Sequence, residues 1–77
     1  MLLSQIKKGR GARILQIPDA TVRSQAIRLG IGEGSLVICQ EIIPAGPVVI
    51  KKNRQEIAVG RGLANMIKVE EAAIESA

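Results

Sequence analysis

The sequence predicts a mainly β protein: five short strands wound into a small, strongly bent barrel, with one helix between the first and second main strands. Three observations lead there. The chain holds 12 Ile, 6 Val and 6 Leu, and β-branched side chains, stiff at their first torsion, pack well on pleated surfaces. Short apolar runs are separated by Gly and Pro turn signals. Only one segment carries helical spacing. Closing such a sheet into a barrel would remove its edges, which matters for a strand-rich basic chain.

Met1 to Gly9 begins with Leu2, Leu3 and Ile6 and reads as a short strand or turn whose apolar residues plug a core. Gly9 then turns the chain. Arg10 to Ile17 is a strand in which Ala12 and Ile14 are followed by Leu15 and Ile17, a break in alternation that calls for a bulge or two covered faces. Pro18 stops it. Asp19 can accept from the first exposed amides of a helix and so serves as N-cap. Val22, Ala26 and Leu29, with Ile27 beside them, make the apolar stripe of a helix over about Ala20 to Leu29. Gly30 stands where a left-handed C-cap is wanted.

Leu36 to Ile43 is β-rich on both faces, as expected of a strand bent round a barrel. Pro44-Ala45-Gly46-Pro47 is a turn and Val48 to Ile50 a strand. Lys51 to Gln55 reads as a polar hairpin tip, and Ile57 to Val59 as the returning strand. Gly60-Arg61-Gly62 breaks it, Leu63 to Asn65 makes one helical or 3₁₀ turn, and Met66 to Val69 is a last short strand. From Glu70 the chain reads as an acidic tail or short helix. The whole is one domain over residues 1–77, with a core over about 2–69 and an acidic end over 70–77.

Composition excludes several function classes. The chain has no His, Trp, Tyr or Phe and one Cys. Without His no Ser-His-Asp or Cys-His arrangement can form, and no acid pair is placed for catalysis, so the reading is not an enzyme. A zinc site would have to use carboxylates and one thiolate, so no metal ligands are assigned. Cys39 has no disulfide partner and reads as a small buried hydrophobe in a reducing compartment. Base stacking lacks its aromatic platforms, which counts against nucleic-acid binding. The longest apolar run is four residues, Leu36 to Cys39, far from the roughly 20 that a membrane span needs.

The formal charge is +4, but three of seven acids lie at the C-terminal end, so residues 1–69 carry 11 basic and 4 acidic side chains, a net +7. A basic domain of this size points to an acidic partner, a nucleic acid or an anionic surface. Two basic clusters stand out: Lys7, Lys8 and Arg10 in the first turn, and Lys51, Lys52 and Arg54 at the hairpin tip. Two glycine clusters also stand out. Gly30-Ile31-Gly32-Glu33-Gly34 has phosphate-loop spacing but follows a helix C-terminus, whose partial charge is negative, so it reads as a C-cap and tight turn. Gly60-Arg61-Gly62 has the strand-to-helix order, and Arg61 there could hold an anion or a partner's carboxylate. The candidate contact residues are therefore Lys51, Lys52, Arg54 and Arg61, and the structural turns are Gly9, Gly30, Gly34, Gly60 and Gly62.

The order of landmarks resembles the FeoA family of ferrous iron transport. Leu3, Ile6, Gly9, Ala12, Ile14 and Ile17 match its opening. Leu29-Gly30-Ile31 with Gly34 match the end of its helix, Pro44-Ala45-Gly46-Pro47 its turn, and Val59-Gly60-Arg61-Gly62-Leu63-Ala64 with Ile67 and Val69 its close. The chain departs at Ile6, where Leu is commoner, at Gly32, where Pro is frequent, and at Ala26-Ile27-Arg28-Leu29, which has one Arg fewer than an "R-R-L" helix end. The resemblance covers about residues 2–69 and implies an SH3-like barrel. It implies a cytoplasmic accessory protein, acting by contact with the G-protein domain of the FeoB membrane transporter, which could recruit it to the inner face of the membrane. It also implies family-level transition metal ion binding. This sequence offers no ligand set for that, so ferrous iron is taken as the transported substrate and no cofactor is expected. The rival readings are a metal-responsive regulatory SH3-like module and a basic RNA- or DNA-binding SH3-like barrel. The short final strand could leave an edge that pairs across a homo-oligomer.

Overall fold

The computed structural model describes residues 1–73. Five antiparallel strands form one sheet in the order β4-β3-β2-β1-β5: β1 Gly11–Gln16, β2 Leu36–Ile42, β3 Val48–Lys52, β4 Gln55–Val59 and β5 Lys68–Glu71. Helix α1, Ala20–Arg28, lies between β1 and β2, and a single turn α2, Arg61–Ala64, between β4 and β5. Met1 to Gly9 holds a 3₁₀ turn at Leu3–Gln5 rather than a strand, and its Leu3 and Ile6 are fully buried as plugs.

Alternation along each strand builds the core. Ala12 and Ile14, Val37 and Cys39, Val48 and Ile50, Ile57 and Val59, and Val69 point inward, and Ala26, Ile31, Ala64 and Ile67 close over them from the connections. No charged or polar side chain is buried among the described residues. Two bulges supply the bending. In β1 the pairing with β5 shifts between Ile14 and Gln16, which explains Leu15 breaking the pattern. In β2 the pairing with β3 skips Gln40, between Cys39 and Glu41. An extra residue on one strand bends it and increases its twist.

Helix α1 begins and ends as its sequence requires. Asp19 Oδ1 accepts from the Thr21 amide at 2.8 Å. At the far end Gly30 has φ +86°; its amide donates to Ile27 O and that of Ile31 to Ala26 O, each at 2.9 Å. This is a Schellman closure, with buried Ile31 returning to the core beside Ala26. The apolar stripe is shorter than expected: Val22 and Ala26 are buried, but Leu29 is 37% exposed and Ile27 61% exposed. Leu29 is the C-cap residue, so the chain turns away before its side chain reaches the core.

Three boundaries differ from the sequence reading. Lys51 and Lys52 belong to the β3 ladder, and the loop is only Asn53 and Arg54. Lys51 is exposed on the outer face, whereas Lys52 follows Val48 and Ile50 on the other face and is half-buried. Glu70 and Glu71 are not a tail or helix: they pair with Arg13 and Ala12 in β5, and Glu70 lies 3.7 Å from the Arg13 guanidinium. Val69 points in while its charged neighbours point out, so the strand continues through the acids. Residue 75, the last acid of the expected tail, lies outside the described residues.

The third difference concerns the edges. The sheet curls over its core, but β4 and β5 do not pair with each other. The edge of β5 is nevertheless covered. Leu3 N donates to Ile67 O at 2.9 Å and Val69 N to Met1 O at 2.8 Å, and Leu2 bridges Lys68. Among the described residues, the edge left open is therefore that of β4, not that of the final strand.

The Pro-bounded turn carries a testable strain. Gly46 donates to Ile43 O at 2.8 Å, and a Cβ on Gly46 would sit 2.9 Å from Ile43 Cγ2, so any larger residue would force the Ile43 side chain to shift. Ala45 beside it has φ +57°, a conformation that costs a side-chain-bearing residue about 1–2 kcal/mol. Ala45→Gly is expected to stabilise the fold by about 0.5 kcal/mol, once the extra freedom of Gly in the unfolded chain is subtracted. A lower urea midpoint for the variant would show that the turn is unstrained.

Candidate partner-contact site

The β3–β4 hairpin is held out by its loop. Asn53 adopts φ +56°, and two-residue loops need positive φ to follow the strand twist, a conformation Asn tolerates better than most residues. Lys51 and Arg54 are exposed and make no ion pair within 4 Å among the described residues. Lys52 is different. Its ammonium donates to Gly30 O at 2.7 Å, tying the hairpin to the C-terminal end of α1, where a cation also meets the negative end of the helix dipole.

Arg61 does not join them. From the start of α2 its Nε donates to Gly46 O at 3.0 Å, one terminal nitrogen to Ile43 O at 3.0 Å and the other to Ser4 O at 3.5 Å. The guanidinium thus clamps the Pro-bounded turn to the N-terminal turn. The four candidate residues separate into a free pair, Lys51 and Arg54, and a structural pair, Lys52 and Arg61. In the first turn, Lys8 lies 4.0 Å from Glu41 with both side chains solvated.

The glycine clusters sort by backbone geometry. Gly9, Gly30 and Gly34 have φ near +87° (+86°, +86° and +88°), which only Gly takes up freely. Gly60 has φ −55°, and a Cβ at either Gly60 or Gly62 would meet open space, so these two are not required by the turn. In the loop after α1, the exposed Glu33 reaches back to the end of β1: its Oε2 accepts from Ile17 N at 3.2 Å. Arg23 donates to Ile17 O at 3.0 Å. One acid and one base thereby satisfy both backbone groups of Ile17, just past the end of β1. The carboxylate also makes this loop a poor phosphate cradle.

Cys39 is fully buried in β2. Burial pushes its thiol pKa up, and the nearby Glu41 carboxylate adds to this against a weak hydrogen bond to Glu41 O. Such a thiol is neutral and unreactive at physiological pH. Among the described residues no group of three or more Cys, Asp or Glu side chains is placed to hold a metal ion.

Sequence reasoning missed one surface. The last turn of α1 and strand β4 enclose an open groove of about 520 Å³, lined by Arg28, Leu29, Gln55, Glu56, Ile57 and Ala58. The alternation of Glu56 and Ala58 with buried Ile57 and Val59 was legible; that β4 is an edge, and that α1 ends against it, was not.

Solved structures share this architecture. A crystal structure described as the iron uptake regulatory protein FeoA superposes with a TM-score of 0.86 at 25% identity, over 94% of this chain and 97% of that one. The FeoA protein of Chlorobium tepidum gives 0.79 at 26% identity, over 99% and 74%. The FeoA-like protein of Clostridium acetobutylicum gives 0.81 at 15% identity, over 100% and 92%, a likeness that speaks to the fold alone. Comparison with curated proteins yields no match. The FeoA domain matches residues 1–71, nearly the whole chain, and the chain therefore belongs to the FeoA family, among the proteins of ferrous iron transport systems.

Proposed function

We propose that this protein is a cytoplasmic accessory component of ferrous iron uptake that works by protein–protein contact, not catalysis, and that its partner is the cytosolic G-protein domain of a FeoB-type membrane transporter. The observation that carries this reading is the FeoA domain match over residues 1–71. Ferrous iron enters as the transported substrate, with no resident cofactor. No helix among the described residues is long and apolar enough to cross a membrane. In this reading the partner recruits the protein to the inner face of the membrane.

The β3–β4 hairpin is the contact element in this reading. Lys51 and Arg54 have no other ion-pair partner among the described residues, and rim charges of this kind set encounter rate and salt dependence. Lys52 and Arg61 support the elements that carry them. The double variant Lys51→Gln, Arg54→Glu is expected to weaken binding to a purified FeoB G domain about tenfold and to flatten its salt dependence. Unchanged affinity would remove the hairpin assignment. No measurable complex with the unaltered protein would remove the FeoB partnership itself.

A further inference from the structure

The outer edge of β4 has a use that the charge of the hairpin does not describe. In an antiparallel ladder, residues alternate between those that exchange hydrogen bonds with their partner and those whose N–H and C=O point away. Lys52 and Gln55 close a two-residue loop and so form an exchanging pair; Ile50–Ile57 and Val48–Val59 follow in the same phase. Glu56 and Ala58 therefore present their backbone groups to the sheet's open side. The opposite edge of the sheet is covered by Met1–Leu3, whereas no strand pairs outside β4 among the described residues. Beyond this edge lies the groove whose other wall carries Arg28 and the half-exposed Leu29.

We propose that β4 is a docking edge for an extended acidic segment of another protein, which adds to the sheet as a sixth strand. Backbone groups of Glu56 and Ala58 supply the ladder bonds, as in strand addition generally. Charge selects the occupant. The groove is lined by Arg28 and one acid, Glu56; the register sets Lys51 of β3 opposite Glu56, and Arg54 stands in the loop that leads into β4. Arg28, Lys51 and Arg54 all lack an ion-pair partner within 4 Å among the described residues. A second copy of this chain would bring the same cations against themselves, whereas carboxylates on an added strand would meet them favourably. Apolar side chains on the groove side of that strand meet Leu29 and the rim of Ile57. The inference requires no particular partner, and its probe is a peptide, so its outcome is separate from that of the transporter reading.

The test is a titration of ¹⁵N-labelled protein with a ten-residue peptide alternating Val or Thr with Glu, and with the same peptide carrying Lys for Glu. Expected are chemical-shift changes at Glu56, Ala58, Arg28 and Leu29, slower hydrogen exchange of the Glu56 and Ala58 amides, and binding of the Lys peptide weaker by about tenfold or more. Ala58→Pro removes an outward donor without removing a bond to β3, a placement edge strands tolerate, and should abolish the ladder signature. Arg28→Glu, remote from the ladder, should weaken the Glu peptide about tenfold and serves even if Ala58→Pro does not fold. Silence at β4 with millimolar peptide, shifts confined to another face, or equal response to both peptides would overturn the proposal. Concentration-dependent shifts at Glu56 and Ala58 in the protein alone would also overturn it, by assigning the edge to a second copy.

Discussion

Ile50→Ala is expected to destabilise the protein by about 3–4 kcal/mol, within the range for deleting most of a buried Ile side chain and leaving a cavity. Ile50 is fully buried and sits opposite Cys39 on one side and Ile57 on the other, both buried. With no aromatic residue in the chain, the core consists of small and medium aliphatics, and no large neighbour is available to swing into the space. Domains of this size hold roughly 4–12 kcal/mol of stability in total, so the variant loses about a quarter or more of it. Urea unfolding followed by far-ultraviolet circular dichroism should show a midpoint lower by about 3 M, taking a slope near 1 kcal/mol per molar for a small domain. Ile50→Val should cost only about 0.5–1.5 kcal/mol. A cost below about 1 kcal/mol for the Ala variant would mean that the sheet relaxes around the cavity and that the core is not tightly packed.

Arg61→Ala should cost about 2–3 kcal/mol, far more than a surface arginine warrants. Hydrogen bonds from a charged donor contribute about 1.5–3 kcal/mol each, but Arg61 is only partly buried and one of its three contacts is long, at 3.5 Å. Arg61→Lys should recover only part of the loss, because a single ammonium cannot reproduce the planar fork that reaches carbonyls on two separate loops. Arg54→Ala, exposed and unpaired among the described residues, should stay within about 0.5 kcal/mol. The local readout is hydrogen exchange at the Gly46 amide, which donates to one of the clamped carbonyls and should exchange faster in Arg61→Ala. Equal stability of Arg61→Ala and Arg54→Ala would return Arg61 to the set of free contact residues.

These two residues show where sequence reasoning reaches and where it stops. Ile50 was legible as a strand residue, because it ends the β-branched run Val48 to Ile50 after the Pro-bounded turn. The start and end of α1 were legible for the same kind of reason: Asp19 and Gly30 act on backbone groups a few residues away. Leu15 breaking the period called for a bulge or two covered faces in β1, and the structure has the bulge. Arg61 was read as a free cation because its acceptors come from residues 15, 18 and 57 positions distant. Lys52 reaches a carbonyl 22 positions away, and the Ile17 amide is satisfied by Glu33, 16 positions away. The acids of β5 read as tail because polarity alone cannot distinguish a solvated end from the wet face of a strand. Of the candidate site, the charge of the hairpin was legible; which of its cations are free was not.

What the sequence by itself determined is the class of structure and which side-chain chemistries the chain lacks. Short runs of branched aliphatics, one capped helix and the chain's turn residues specify a small β domain, and the absence of His and aromatics removes whole chemistries before any contact is known. Each of those inferences rests on residue identity or on neighbours within one turn or one strand pair. What only the tertiary structure decided is which cations remain free, which sheet edge is covered, and where α1 ends against β4. Those depend on the order of strands in the sheet and on long-range acceptors. The same local pattern would suit β4 as a paired central strand or as an open edge, and only the folded topology selects between them.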